Sequence, residues 1–416
     1  MKNAKKNRSA AKKPDLLIIG GGMAGLTLAA ILGRAGVRTD IVDPQPAPKL
    51  KETSPSGRTV ALMESSLNIL RAAGIGDVID EYGTPLQTMR IIDDSLPEQE
   101  TITREFEAQE IGMERFGMNL PNSILRAALY EQAQKLDTVT LHVPVSLRDF
   151  TPEEGGIRAT LENNTEINAR LLIGADGRAS LVRSLSGIES RKQEYGQSAV
   201  TCIINHSRSH NYTATEFHRP GGPLALVPMP GNQSSVVWVV PTEQADALLT
   251  LPRESFTQNL QEKTDNLLGG ITLETPPESW PLMSMKALKL SAPRTVLIAE
   301  AAHVMSPITA QGLNLSLRDV ASLAETVVDA LRLGLDPGSA SILKDFEKRR
   351  RTDIGSRVAG VDFMNKIVSN ERLPLRDLRR AGLKVISGIS SLRHQALRHG
   401  LAPALDAGRL ARGFPL

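Results

Sequence analysis

Cysteine is nearly absent: Cys202 is the only one in 416 residues. A disulfide within the chain is excluded, and so is a cysteine cluster for metal. A reducing, cytoplasmic location is the expectation. No apolar run approaches the ~20 residues that a membrane-spanning helix needs. The seven histidines show no ligand spacing, so no resident metal is expected. Residues 1–13 lack any acid and carry Lys2, Lys5, Lys6, Arg8, Lys12 and Lys13. No apolar core follows them, as a secretory signal requires, because Leu16 already opens a strand. They read as a solvated basic tail, with weak attraction to an anionic membrane surface as the alternative. The formal net charge of +3 gives no reason to expect a nucleic-acid partner. What is present is the 41% hydrophobic content of a globular protein, on a chain long enough for two or more domains.

One stretch organises the rest. Leu16 to Ile19 is a short, continuously apolar run, as a strand buried on both faces requires. Gly20, Gly22 and Gly25 follow with the spacing of a dinucleotide-binding turn, with Met23 and Ala24 between them. The first glycine allows the tight turn and the second lets a pyrophosphate approach the backbone. The third lets the next helix pack on the sheet. That helix, Leu26 to Ala35, offers its N-terminus to phosphate. Val37 to Val42 is the second strand, and Asp43 closes it where a carboxylate can accept both ribose hydroxyls of an adenosine. An acid there argues against a 2′-phosphate, so FAD or NAD is expected rather than NADP.

Two later stretches repeat the pattern. Leu171 to Ile173 is an apolar strand ending in Gly174-Ala175-Asp176-Gly177, with Ser180 and Arg183 at helical spacing. Val296 to Ile298 is a third, followed by Ala299-Glu300-Ala301-Ala302-His303 and Pro307. Ala310-Gln311-Gly312-Leu313-Asn314 then opens a helix running to about Leu331. Ligands in open α/β sheets sit at the carboxyl ends of strands, so three such ends can converge on one long ligand. Elsewhere Ser65 to Ala73 and Leu120 to Leu136 are helical, the latter with Arg126 near its start. Residues 89–107 alternate as a sheet excursion does. Residues 200–241 read as a mostly antiparallel sheet domain, strand-like at Val236 to Val240 and turn-rich from Pro220 to Pro230.

Together these motifs resemble the FAD-dependent aromatic hydroxylases of the p-hydroxybenzoate hydroxylase fold, most similarly the UbiH/UbiF ubiquinone-biosynthesis group. The resemblance covers roughly Asp15 to Val328, and Glu216, Gly222, Pro223, Leu226, Pro228 and Trp238 match its substrate-domain pattern. It implies an α/β fold: a Rossmann-like FAD-binding domain of the glutathione-reductase type. An inserted, mostly antiparallel substrate domain and a C-terminal helical segment complete it. The implied layout is a tail 1–13, FAD-binding parts 14–88, 108–188 and 286–340, an excursion 89–107, a substrate domain 189–285 and helices 341–416.

The implied cofactor contacts are Gly20, Gly22, Met23, Ala24, Gly25, Asp43, Arg58, Arg126, Asp176, Gly177, Glu300, Gly312, Leu313 and Asn314. Those expected beside the flavin are His303, Pro307, Gln311 and Gly312. His303 reads equally well as a satisfied core histidine. The implied reaction is hydroxylation of a polyprenylated phenol by O2 through a C4a-hydroperoxyflavin, with NAD(P)H or another donor as reductant. Tyr195 and Tyr212 are the tyrosines considered for acting on the phenol, and nothing in the sequence singles either out. A hydroxylase of a soluble aromatic acid, or a non-catalytic flavoprotein subunit of a quinone-biosynthesis complex, are the alternative readings. A homo-oligomer is a further expectation about partners.

The chain departs from the family pattern at two points: Ala299-Glu300 stands for the usual Gly-Asp, and Ala310-Gln311-Gly312 for Gly-Gln-Gly. Last, Leu378, Val385, Ile389, Leu392 and Ala396 form a helical stripe among arginines. Packing on the protein itself or on a second subunit is the plainer reading. Peripheral attachment to the inner face of the cytoplasmic membrane is the hypothesis that a bilayer-resident substrate motivates.

Overall fold

The computed structural model describes residues 14–94, 101–219, 222–369 and 408–416. The helical stripe at 378–396 therefore lies outside the described residues.

The apolar strand ends build one sheet. Its order is Ser291–Ala292, Thr295–Leu297, Leu171–Gly174, Leu16–Ile19, Thr39–Val42, Val139–His142. All neighbours are parallel except the short edge strand Ser291–Ala292. Leu16 pairs with both Leu171 and Thr39, so the first motif sits at the centre and the other two beside it. Leu16, Leu17 and Ile18 are fully buried, as a strand covered on both faces demands. Helix Met23–Arg34 packs on one face against helices Asn122–Gln134 and Gln311–Arg332.

A second, nine-stranded sheet is mostly antiparallel. Strands Thr88–Asp93 and Ile102–Glu107 form one edge and His303–Val304 the other, so the third motif runs directly into it. The sheet has two different faces. Val236, Trp238 and Val240 pack under helices Thr242–Leu249 and Arg253–Lys263 with Phe256 and Leu260. The alternate residues Val237 and Val239 lie on the opposite face with Ala199 and Leu282.

Three features differ from the sequence reading. Gly222–Met229 is a continuous strand, not a run of turns. Pro223 and Pro228 each forfeit a ladder hydrogen bond, but burial of Leu224 and Leu226 holds the strand in place. Two small antiparallel sheets went unread: Leu147–Glu153, Gly156–Leu161 and Glu166–Ala169, and Thr59–Met63, Gly117–Pro121 and Thr84–Leu86. The C-terminus also returns to the core, where Leu410 is buried and its N–H donates to Glu325.

Candidate functional site

The first two strand ends meet at Gly20. Its φ is +115°, and a Cβ there would lie 2.2 Å from the carbonyl oxygen of Ala175. Glycine is required here by the neighbouring strand as much as by any ligand. Gly22 is the opposite case: a Cβ would meet nothing within 4 Å, so its backbone faces open space. It precedes helix Met23–Arg34, which has no side-chain cap and no acid in its first turn. Helix Gln311–Arg332 is likewise uncapped by any side chain, with Gly312 equally open. Two helix N-termini thus lack a capping side chain and turn their first-turn N–H groups to the site, suited to an anionic or electron-rich ligand.

Asp43 is buried and organises the first turn. Its carboxylate accepts from Gly21 N at 2.5 Å and from Gln45 N at 2.8 Å. Arg126 closes the same corner, donating to Gly21 O at 3.2 Å and standing 3.5 Å from Asp43. Two carboxylate oxygens hold about four acceptor sites, so Asp43 keeps capacity for ribose hydroxyls.

At the second strand end, Asp176 accepts from Ser180 Oγ at 2.6 Å and from Val182 N at 3.0 Å. Ser180 in turn caps helix Leu181–Leu185 through Arg183 N. Both Asp176 oxygens therefore serve their own turn, and Gly177 (φ +80°) carries the chain past them. The buried Arg183 donates to Ala301 O at 2.9 Å and ties the second motif to the third.

Glu300 points into this junction, 3.9 Å from Arg178. Arg58 lies with its guanidinium 4.4 Å from the Trp280 ring centre. Burial lowers its pKa from the usual arginine value, against the pull of Glu300. Trp280 pairs in register with Ala199, so Arg58 sits at the apolar face of the large sheet.

His303 is buried, and its Nε2 lies 2.6 Å from Asp319 Oδ2. The same oxygen accepts from Ala299 N at 3.0 Å, and Arg350 donates to the other at 2.7 Å. His303 is thus a buried histidine with one ring nitrogen paired to a carboxylate. Burial opposes ionisation of Asp319, but His303 and Arg350 outweigh it and hold the carboxyl below its usual range.

Pro307 is exposed on the short turn Pro307–Thr309. Gln311 Oε1 accepts from Arg357 at 3.1 Å. Asn314 clamps the helix start to the neighbouring strand. It accepts from Met63 N at 2.9 Å and donates to Ala61 O at 2.9 Å and Ala310 O at 2.7 Å. Leu313, Met23 and Ala24 lie in the first turns of the two uncapped helices.

Sequence reading missed Asp319, Arg350, Arg357 and Trp280. Of these, only Asp319 lies on the helix that the third motif opens. Tyr195 and Tyr212 part company here. The Tyr195 hydroxyl donates to Asp362, and burial, then that carboxylate, pushes its pKa well up. Tyr212 is 44% exposed in the turn before strand Thr213–Arg219, beside His210.

The site fits a dinucleotide: open backbone at Gly22, an acid with spare acceptor capacity at Asp43, and a basic side chain at Arg58. Among the described residues no group of His, Cys, Asp or Glu could hold a metal ion.

Comparison with known proteins agrees. Residues 13–359 match the family described as "FAD binding domain". The ubiquinone hydroxylase UbiL of Rhodospirillum rubrum is 35% identical over 412 residues, covering 98% of this chain and 95% of that protein. The ubiquinone hydroxylase UbiM of Neisseria meningitidis is 29% identical, covering 88% of this chain and 79% of its own. In fold, the chain is similar to the p-nitrophenol 4-monooxygenase PnpA of Pseudomonas putida. That structure is 18% identical, with a TM-score of 0.78, covering 95% of this chain and 99% of the other.

Proposed function

This chain belongs to the family of FAD-dependent ubiquinone-biosynthesis hydroxylases, and we propose that its substrate is a polyprenylated phenol. FAD is its cofactor. When bound, FAD supplies the oxygen-activating chemistry, and the protein's part is to hold, orient and exclude water.

The observation that carries the reading is the meeting of three strand-end motifs beside an apolar sheet face. We assign the adenosine and pyrophosphate contacts to Gly20, Gly22, Met23, Ala24, Gly25, Asp43, Arg126, Asp176 and Gly177. Arg58 and Glu300 stand where the ribityl chain passes. The backbone from Gly312 to Asn314 supplies N–H groups to the ring end, where negative charge must be stabilised. Gln311 and Pro307 line that end. Ala199, Val237, Val239 and Leu282, a largely buried apolar cluster on the sheet face that carries Trp280, have the chemistry suited to an aromatic ring bearing an aliphatic chain. Tyr195 stays protonated at neutral pH and acts as a donor, not as the base for a phenol. O2 is the second substrate, and NAD(P)H or another donor the reductant.

Among the described residues no helix is long and apolar enough to cross a membrane. A bilayer-resident substrate must still be collected. Helix Ala340–Ser369 exposes Phe363 (60%) and Met364 (41%) where it leads into the basic segment 370–407. We take that region as the peripheral membrane contact.

The test is deletion of the gene followed by mass spectrometry of accumulated quinone precursors. A prenylated precursor lacking one ring hydroxyl is expected, and its structure names the ring position. An unchanged precursor pool, with accumulation of a soluble aromatic acid, would favour the acid hydroxylase instead.

A further inference from the structure

Two non-glycine residues at the cofactor site have left-handed backbones: Ala299, with φ +54°, and Ala310, with φ +51°. Left-handed geometry crowds a Cβ against the carbonyl oxygen and is strained for any L-residue bearing one. Ala299 opens the turn that carries Glu300, and Ala310 opens the helix that carries Gln311, Gly312 and Asn314. Strain persists only where the surroundings over-determine the conformation.

The surroundings are one buried ionic network rooted in helix Ala340–Ser369. Arg350 donates to Asp319 at 2.7 Å and to Asp353 at 2.7 Å. Asp319 accepts the Ala299 N–H on its other oxygen, where His303 also bonds. Asp353 further receives Arg357 at 3.1 Å and Arg318 at 3.4 Å. Arg357 reaches on to Gln311, the residue after Ala310. Asn314 Nδ2 holds the carbonyl of Ala310 itself. Arg350, Asp319 and Asp353 are each 1–6% exposed. The network thus runs from one strained turn to the other through a helix that contributes no strand to the FAD-binding sheet.

We propose that Arg350 and Arg357 are positioning residues for the cofactor, locking through Asp319 and Gln311 the two left-handed turns at Ala299 and Ala310. The proposal rests on FAD binding alone and not on the identity of the phenol. Helix Ala340–Ser369 is then part of the cofactor site's framework, and its displacement would loosen both turns together.

The experiment measures FAD affinity by titration of the FAD-free chain, the visible spectrum of the bound flavin, and melting of the FAD-free chain. The variants are Arg357→Met, Arg357→Lys and Ala310→Gly, singly and with each Arg357 change combined with Ala310→Gly. Arg357→Met should weaken FAD about tenfold, the scale of one charge-assisted hydrogen bond, and shift the spectrum. Adding Ala310→Gly should recover about fivefold of that loss, because a relaxed turn no longer needs the lock. Arg357→Lys keeps the charge and should show a smaller loss with the same recovery; it decides the matter if Arg357→Met does not fold. Unchanged FAD affinity in either folded variant would overturn the proposal. So would a loss that Ala310→Gly does not relieve and that merely follows a lower melting temperature, which marks Arg357 as structural only.

Discussion

Glu300 and Arg178 face each other at 3.9 Å where the second and third strand ends meet. The pair is half exposed, so its own ionic energy is small. Its value is placement: the carboxylate stands at the junction, beside the path assigned to the ribityl chain. Glu300→Gln should weaken FAD binding about tenfold by replacing a charged acceptor with a neutral one, and Glu300→Asp should be tolerated. Fluorescence titration of the FAD-free chain reads both. Unchanged affinity in Glu300→Gln would remove the carboxylate from the cofactor's contacts.

Asp43 carries two duties, one to the Gly21 and Gln45 N–H groups and one assigned to the adenosine ribose. Asp43→Ala should cost about 1.5–3 kcal/mol in FAD binding for each charge-assisted hydrogen bond lost. Asp43→Asn keeps an acceptor and should lose less. Equal affinities for wild type and Asp43→Ala would contradict the assignment.

The Asp319 and Asp353 carboxyls are both held below their ordinary range despite burial, because His303 and three arginines surround them. A carboxyl whose folded pKa lies below its unfolded value, about 3.9, stabilises the fold fully above that value. That contribution is lost as pH falls through the folded pKa. Thermal melting should therefore hold steady from neutral pH down to about pH 4 on this account and fall steeply below it. Asp319→Asn should be less stable at pH 7 by about 3–5 kcal/mol, since Arg350 and His303 lose a buried partner. Its loss in acid should be shallower. Parallel curves for the two proteins would refute the linkage.

Peripheral membrane contact is tested by flotation with anionic liposomes, comparing the full chain with one ending at Asn370. Flotation of the full chain, weakened by salt, and none of the truncated chain is expected. The truncation also removes the buried Leu410 contact, so it must be checked for folding and bound FAD. Equal flotation of both would assign the contact elsewhere.

Much of this was legible in the sequence, for local reasons. Gly20, Gly22, Gly25 and Asp43 declare themselves because turn, helix start and acceptor fall within one strand–helix–strand unit. Glu300 and Asn314 are visible for the same reason. What stayed hidden depends on distant partners. Arg350 and Arg357 look like any charged helix face until Asp319 and Gln311 are folded against them. Ala299 and Ala310 read as milder versions of glycine, yet both sit where glycine's freedom is used. Pro223 and Pro228 signal turns by composition, and only the burial of Leu224 and Leu226 between neighbouring strands overrides them. His303 reads in sequence as either flavin wall or core histidine, because its buried partner Asp319 comes to it only through the fold.

The central claim is ring hydroxylation by O2 at a bound flavin. The most direct measurement supplies the purified FAD-loaded protein with a reductant, a polyprenylated phenol and isotopically labelled O2, and weighs the product. One labelled oxygen on the aromatic ring is the predicted result. Product oxygen drawn from unlabelled water would contradict it, as would peroxide as the sole product from every phenol identified by the gene deletion.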